Sequence, residues 1–219
     1  MQDKADVKSY SLFEEKLNIR SHATGIFLSI IALVLLVTHA SLNGNVWHIV
    51  SFSIFGASLL ILYTASTIYH SATDPKRRAR LRVLDHASIY VLIAGTYTPF
   101  TLVTLSGSTG WIIFAISWGL ALSGIILKLF FTGRFDILST SMYIFMGWMI
   151  VFAIQPLVDN LSSEGLFWLV AGGLAYTIGA ILYGINAVKY NHAIFHVFVL
   201  IGSACHFISI YFYVLPGNS

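Results

Sequence analysis

Seven stretches of this sequence are each apolar for long enough to cross a bilayer's hydrocarbon core, roughly 20 residues apiece. They run at about Ala23–Leu42, Val46–Tyr69, His86–Leu105, Gly110–Phe130, Ile137–Val158, Leu166–Gly184 and Ala193–Leu215. Inside a membrane every backbone N–H and C=O must find a partner within the protein, which leaves helices or a closed barrel. The runs are continuously apolar and do not alternate, so an all-α, polytopic seven-transmembrane helix bundle is expected and a barrel is not. Composition agrees: 57% of residues are hydrophobic and 10% charged. The expected organisation is one seven-span domain over residues 1–219, with residues 1–22 as a polar N-terminal segment. That segment lacks the pattern of a cleavable signal, so the first span is expected to direct insertion. A single cysteine, Cys205, excludes an internal disulfide and any CxxC metal site.

Basic residues set the expected orientation. Lys4, Lys8, Lys16 and Arg20 precede the first span; Lys76, Arg77, Arg78, Arg80 and Arg82 lie between the second and third. Lys128 and Arg134 flank the fourth connection, and Lys189 the sixth. The other connections, SLNGN, SGSTG and DNLSSEG, carry none. The positive-inside rule then places the N-terminus in the cytoplasm and the C-terminus outside. The segment PKRRARLRVL reads as a basic connection lying on the inner headgroup surface, not as a nucleic-acid patch. Pro99 should kink the third span. Small residues at Ala115, Gly119 and Ser123, and at Ala171, Ala175 and Gly179, have the spacing of helix-packing seams.

Ionisable groups inside a membrane are costly and mark function by default. Ser66 and His70 stand four residues apart at the inner end of span two, on one helical face. Asp85 opens span three, His192 and His196 open span seven, and His22 opens span one, all on the expected cytoplasmic side. His39 and His48 fall near the outer face and read as interfacial residues. His206, ten residues past His196 and so about 15 Å deeper, reads as a packed, hydrogen-bonded histidine. His86 points about 100° away from Asp85 around the helix and reads as structural or supporting.

A helical HxxxH pair offers two imidazoles to one metal ion, and a third from a facing helix completes a three-histidine set. Zinc suits such a set, and three ligands leave a fourth position for water. The metal would bring that water's pKa toward neutrality. Asp85 could serve as general base toward it, with Ser66 bonding to the water, to Asp85 or to a substrate carbonyl. A site buried in a bundle would most naturally meet a lipid acyl group. The same ion could also be purely structural, pinning spans two, three and seven together.

These residues give the chain its family likeness. EEKLNIRSH resembles an E-x-x-N-x-x-x-H motif through Glu15, Asn18 and His22; STIYH resembles S-x-x-x-H through Ser66 and His70. DHASIYVLIAGTYTPF, opening with Asp85, and NHAIFH, with His192 and His196, complete a set found in order along the chain. Together they resemble the bacterial hemolysin III family, within the progestin and adipoQ receptor superfamily that includes the adiponectin receptors. The resemblance implies zinc held by His70, His192 and His196, and a zinc-bound water oriented by Asp85 with Ser66 beside it. Glu15, Asn18 and His22, on one helical face, would close the site or anchor the first helix. Kinship with alkaline ceramidases implies hydrolysis of lipid amides or related acyl substrates in a bacterial inner membrane, with membrane lipids as partners and no nucleic acid. The alternatives are a non-enzymatic regulator or sensor of membrane homeostasis with a structural zinc, and a pore-forming cytolysin, as the family name implies. The short segment before span one favours the bacterial branch over a hormone receptor.

Overall fold

A computed structural model describes residues 10–105, 107–132 and 136–215. Lys4, Lys8 and Arg134, used above for orientation, lie outside the described residues, as does the segment 1–9. The described chain is helical throughout: α1 (Leu12–Asn43), α2 (Val46–Ser71), α3 (Pro75–Pro99), α4 (Gly107–Phe131), α5 (Asp136–Trp148), α6 (Ile154–Asn160), α7 (Ser163–Gly184) and α8 (Asn191–Ser209). With α5 and α6 joined by a 3₁₀ turn (Met149–Ala153), seven spans are long and apolar enough to cross a membrane. Large apolar side chains such as Phe27, Ile112, Phe152 and Phe167 face outward, as lipid contact requires. α1 packs on α2, α2 on α3, and α7 on α8, while α1 also meets α8 and so brings the ends of the chain together.

Helix starts follow local chemistry. Ser11 caps α1 by accepting from the Glu14 N–H, and Asn45 and His48 form a reciprocal capping box on α2. Asp74 caps α3, whose first residue is Pro75. The basic segment 75–84 is therefore the opening of the third helix and not a surface connection, because cap and proline together start the helix there. Leu12–His22, the polar end of the first span, forms the opening turns of α1.

Two irregularities shape the interior. Pro99 has no N–H for the α-helical ladder, and the chain continues past it as a π-turn over Phe100–Thr104, where the Leu105 N–H reaches the Phe100 carbonyl at 2.7 Å. The fifth span breaks after Trp148. There the Tyr97 hydroxyl donates to the Gly147 carbonyl (3.1 Å) and accepts from the Ile150 N–H (2.8 Å), satisfying groups the break frees.

Small-residue seams are correct for α7, where Ala175 and Gly179 are buried, and misplaced for α4. In α4 the buried face is Gly110, Ile113, Ser117, Ala121 and Gly124, and Ala115, Gly119 and Ser123 lie on the exposed face. A Cβ on Gly124 would overlap the Tyr90 ring, whereas one on Gly119 would meet nothing within 4 Å. Gly124→Ala is expected to destabilise the folded protein by about 1–3 kcal/mol through overpacking. Gly119→Ala should leave it within about 0.5 kcal/mol of the parent. Thermal unfolding of both in the same detergent checks the pair.

Candidate metal centre

His70 stands in the last turn of α2, and His192 and His196 occupy the first two turns of α8. The start of α8 is pinned: Tyr190 adopts a left-handed φ of 59°, and the Asn191 amide donates to the Tyr183 carbonyl at 2.9 Å. All three imidazoles are buried, and one nitrogen from each lies within 4.8 Å of the others. The Nε2 atoms of His70 and His192 are 3.0 Å apart.

Hydrogen bonding behind the rings decides which nitrogens point inward. His70 Nδ1 lies 2.7 Å from Glu15 Oε2. A carboxylate only accepts, so Nδ1 carries the proton and Nε2 presents its lone pair to the cluster. Ser21 Oγ donates to the Asn18 carbonyl (3.0 Å), so toward His196 Nδ1 (3.3 Å) it offers an acceptor. His196 is thus also protonated at Nδ1, with Nε2 left as a donor atom. Two rings fixed in the ligating tautomer by outer partners are what a metal-binding histidine set requires. Nitrogens about 2.0–2.1 Å from a common tetrahedral zinc ion would be about 3.3 Å apart, close to the observed Nε2 separation. The residues present fit an imidazole-preferring divalent metal.

α1 supplies the layer behind these rings. Glu15 bridges His70 and Arg78 of α3, the latter through a close ion pair. Asn18 is fully buried beside His70. His22 stacks on His196, with centroids 3.5 Å apart and planes within 11°, and stands edge-on to Tyr63 at 5.1 Å. Neither of its ring nitrogens has a protein partner among the described residues. Tyr10, just ahead of α1, stacks on His192 at 4.7 Å. Burial, reinforced by neighbouring Tyr183, pushes its phenol pKa up, so it remains a neutral hydroxyl.

The histidines border a cavity of about 450 Å³, within the range of small-molecule sites. His22, Ser66, Asp85, His192 and His196 line it at this end. Its remaining wall is mostly apolar, interrupted by polar side chains that include Arg82, Thr96, Lys128, Ser139 and Thr177. Ile144, Val151 and Ile154 of the fifth span and Val170 of α7 both line it and face the outer surface, so its side wall there is one residue thick. Across that wall Trp148 Nε1 donates to Thr177 Oγ1 at 3.0 Å.

The structure brings His70, His192, His196 and His22 together, with Glu15 and Asn18 directly behind them. Asp85 and Ser66 neighbour one another on the cavity wall. The Ser66 hydroxyl is buried beside Asp85 and makes no hydrogen bond of normal geometry among the described residues. His86 lines the cavity too. His39 bonds the Leu215 carbonyl (2.7 Å), away from the cluster. Sequence reasoning missed Tyr10, Ser21 and Arg78. Ser21 adjoins a motif histidine, but its partner His196 lies on another helix; Arg78 was absorbed into the basic segment, and nothing in the sequence signals Tyr10.

Residues 10–207 match the Haemolysin-III related family, and the chain belongs to it. It is 49% identical to "Hemolysin-3" of Bacillus cereus over 206 residues, 94% of each chain. It is 47% identical to "Hemolysin-3 homolog" of Bacillus subtilis (strain 168), across 93% of this chain and 96% of that protein. A more remote similarity, 27% identity over 213 residues, reaches the human "Monocyte to macrophage differentiation factor" and agrees with the superfamily resemblance of the motifs.

Glu15→Ala removes the carboxylate that fixes His70 and leaves Arg78 without this partner. Metal affinity is expected to fall about 10–100-fold, with a smaller loss for Ser21→Ala, since a hydroxyl is the weaker anchor. Competition against a chromophoric chelator measures both.

Proposed function

We propose that this chain is a multi-pass protein of a bacterial cytoplasmic membrane that hydrolyses lipid amides or related acyl substrates with the help of zinc. One observation carries the reading: three clustered imidazoles, two of them with lone pairs turned toward the cluster, stand at a largely apolar cavity that His192 and His196 line and whose wall also bears a carboxylate and a hydroxyl without a partner among the described residues. Soft-to-borderline nitrogen ligands without carboxylate favour zinc over magnesium or calcium. His70, His192 and His196 would hold it, and bound there it would supply Lewis acidity and acidify a water at its open position.

The chain's own residues do the rest. Asp85 is placed to take the proton of the attacking water on a carboxylate oxygen and to return it to the leaving amine. Ser66 Oγ, with its donor uncommitted, is placed to bond the substrate carbonyl oxygen. His22 keeps one N–H and one lone pair and can meet an amide's acceptor and donor together. The apolar cavity holds the acyl chain, and the thin wall between the fifth span and α7 is the entry from the bilayer. Lys16, Arg20 and the basic opening of α3 lie at the site's end of the bundle, which the positive-inside rule assigns to the cytoplasm.

The test pairs two variants in lipid nanodiscs, with metal content and fatty acid release measured on each across N-acyl amides and phospholipids. Asp85→Asn should retain metal and lose turnover by about 10²–10⁴-fold, whereas His192→Ala/His196→Ala should lose both. A folded, zinc-loaded parent that releases no fatty acid from any substrate would overturn hydrolysis in favour of a structural zinc in a regulator or sensor. Channel conductance under the same conditions would favour the lytic activity in the relatives' name.

A further inference from the structure

At the far end of the same cavity from the histidine cluster, about 15 Å along α8, stands His206. Its Nε2 lies 3.1 Å from the Leu169 backbone carbonyl, which can only accept, so Nε2 carries a proton. The ring is 7% exposed. A buried imidazolium without a counter-ion is costly, and no carboxylate meets this ring among the described residues. The neutral ring then presents a bare lone pair at Nδ1, which has no protein partner among the described residues.

The surroundings hold the ring and supply no donor. The Gly172 backbone lies so close that a Cβ there would overlap the imidazole. The Tyr176 ring leans on it at 5.4 Å, but its hydroxyl is bound to Ser203 Oγ (2.8 Å), which also accepts from Tyr63 (2.7 Å). The nearest hydroxyls are thus bound to one another. A fixed, buried acceptor on a ring that lines a mostly apolar cavity calls for a donor brought by whatever fills that cavity.

We propose that His206 Nδ1 is a specificity subsite for a hydroxyl carried partway along an acyl chain whose polar head sits at the histidine cluster. The proposal rests on the reading of the cavity as an acyl-chain site. A water could occupy the same position, and the test separates the two. Full-length protein in nanodiscs is titrated with octadecanoate and with octadecanoate bearing a mid-chain hydroxyl, each displacing a fluorescent fatty acid. The parent should bind the hydroxylated probe about five- to tenfold tighter, the worth of one hydrogen bond, against the handicap of the added polar group. His206→Phe, which keeps a ring beside Gly172, should lose that preference and retain octadecanoate.

Equal or weaker binding of the hydroxylated probe by the parent would overturn the proposal and leave water as the partner. An unchanged preference in His206→Phe would also overturn it. If that variant does not fold, the parent's ratio alone decides. Binding is read without turnover, so a failed hydrolase reading leaves the ratio standing, whereas binding of neither probe removes the acyl cavity and the subsite together.

Discussion

A short chain of polar contacts ties four helices at one end of the bundle: Arg78 of α3 to Glu15 of α1, Glu15 to His70 of α2, and His70 to His192 of α8. In an apolar interior each of these groups is costly alone and tolerable only with the next. Removing one member leaves its neighbour buried and unmatched, so the penalty passes along the row. The first turns of α1 are therefore part of the site, because they carry the one carboxylate that selects the tautomer of His70.

The interior of α3 shows how the bundle makes room beside that row. Ile89, Ile93 and Tyr97, on one face of α3, line the cavity. Pro99 widens the helix, and its threonines bond back to the carbonyls of Leu92, Ala94 and Tyr97. Tyr97 then serves the broken fifth span with both its donor and its acceptor. The irregular turns are confined to places where a hydroxyl is available to satisfy them, which is the condition under which a membrane interior tolerates them.

Much of this was legible in the residues. The spans follow from length and apolarity, and their ends differ from expectation chiefly where a cap and a proline extend a helix, as at Asp74 and Pro75. His70, His192 and His196 could be grouped because helical spacing and depth are both readable along a single chain. The small-residue stripe of α4 was assigned to the wrong face because spacing gives a period and not a direction, and Gly124 shows its direction only against Tyr90. The roles of Ser21 and Arg78 were out of reach for a related reason. Each acts through a partner on another helix, and nothing local records which helix that is.

The placement of the three imidazoles has a consequence for biosynthesis. His70 enters the membrane with the second span, and His192 and His196 arrive only with the last. A nascent or truncated chain lacking α8 carries one of the three donors, and the Glu15 and Ser21 anchors have no complete set to orient. A metal held by all three donors could be captured only when translation is nearly finished, and its retention would report that every span has been inserted and that the first helix has met the last.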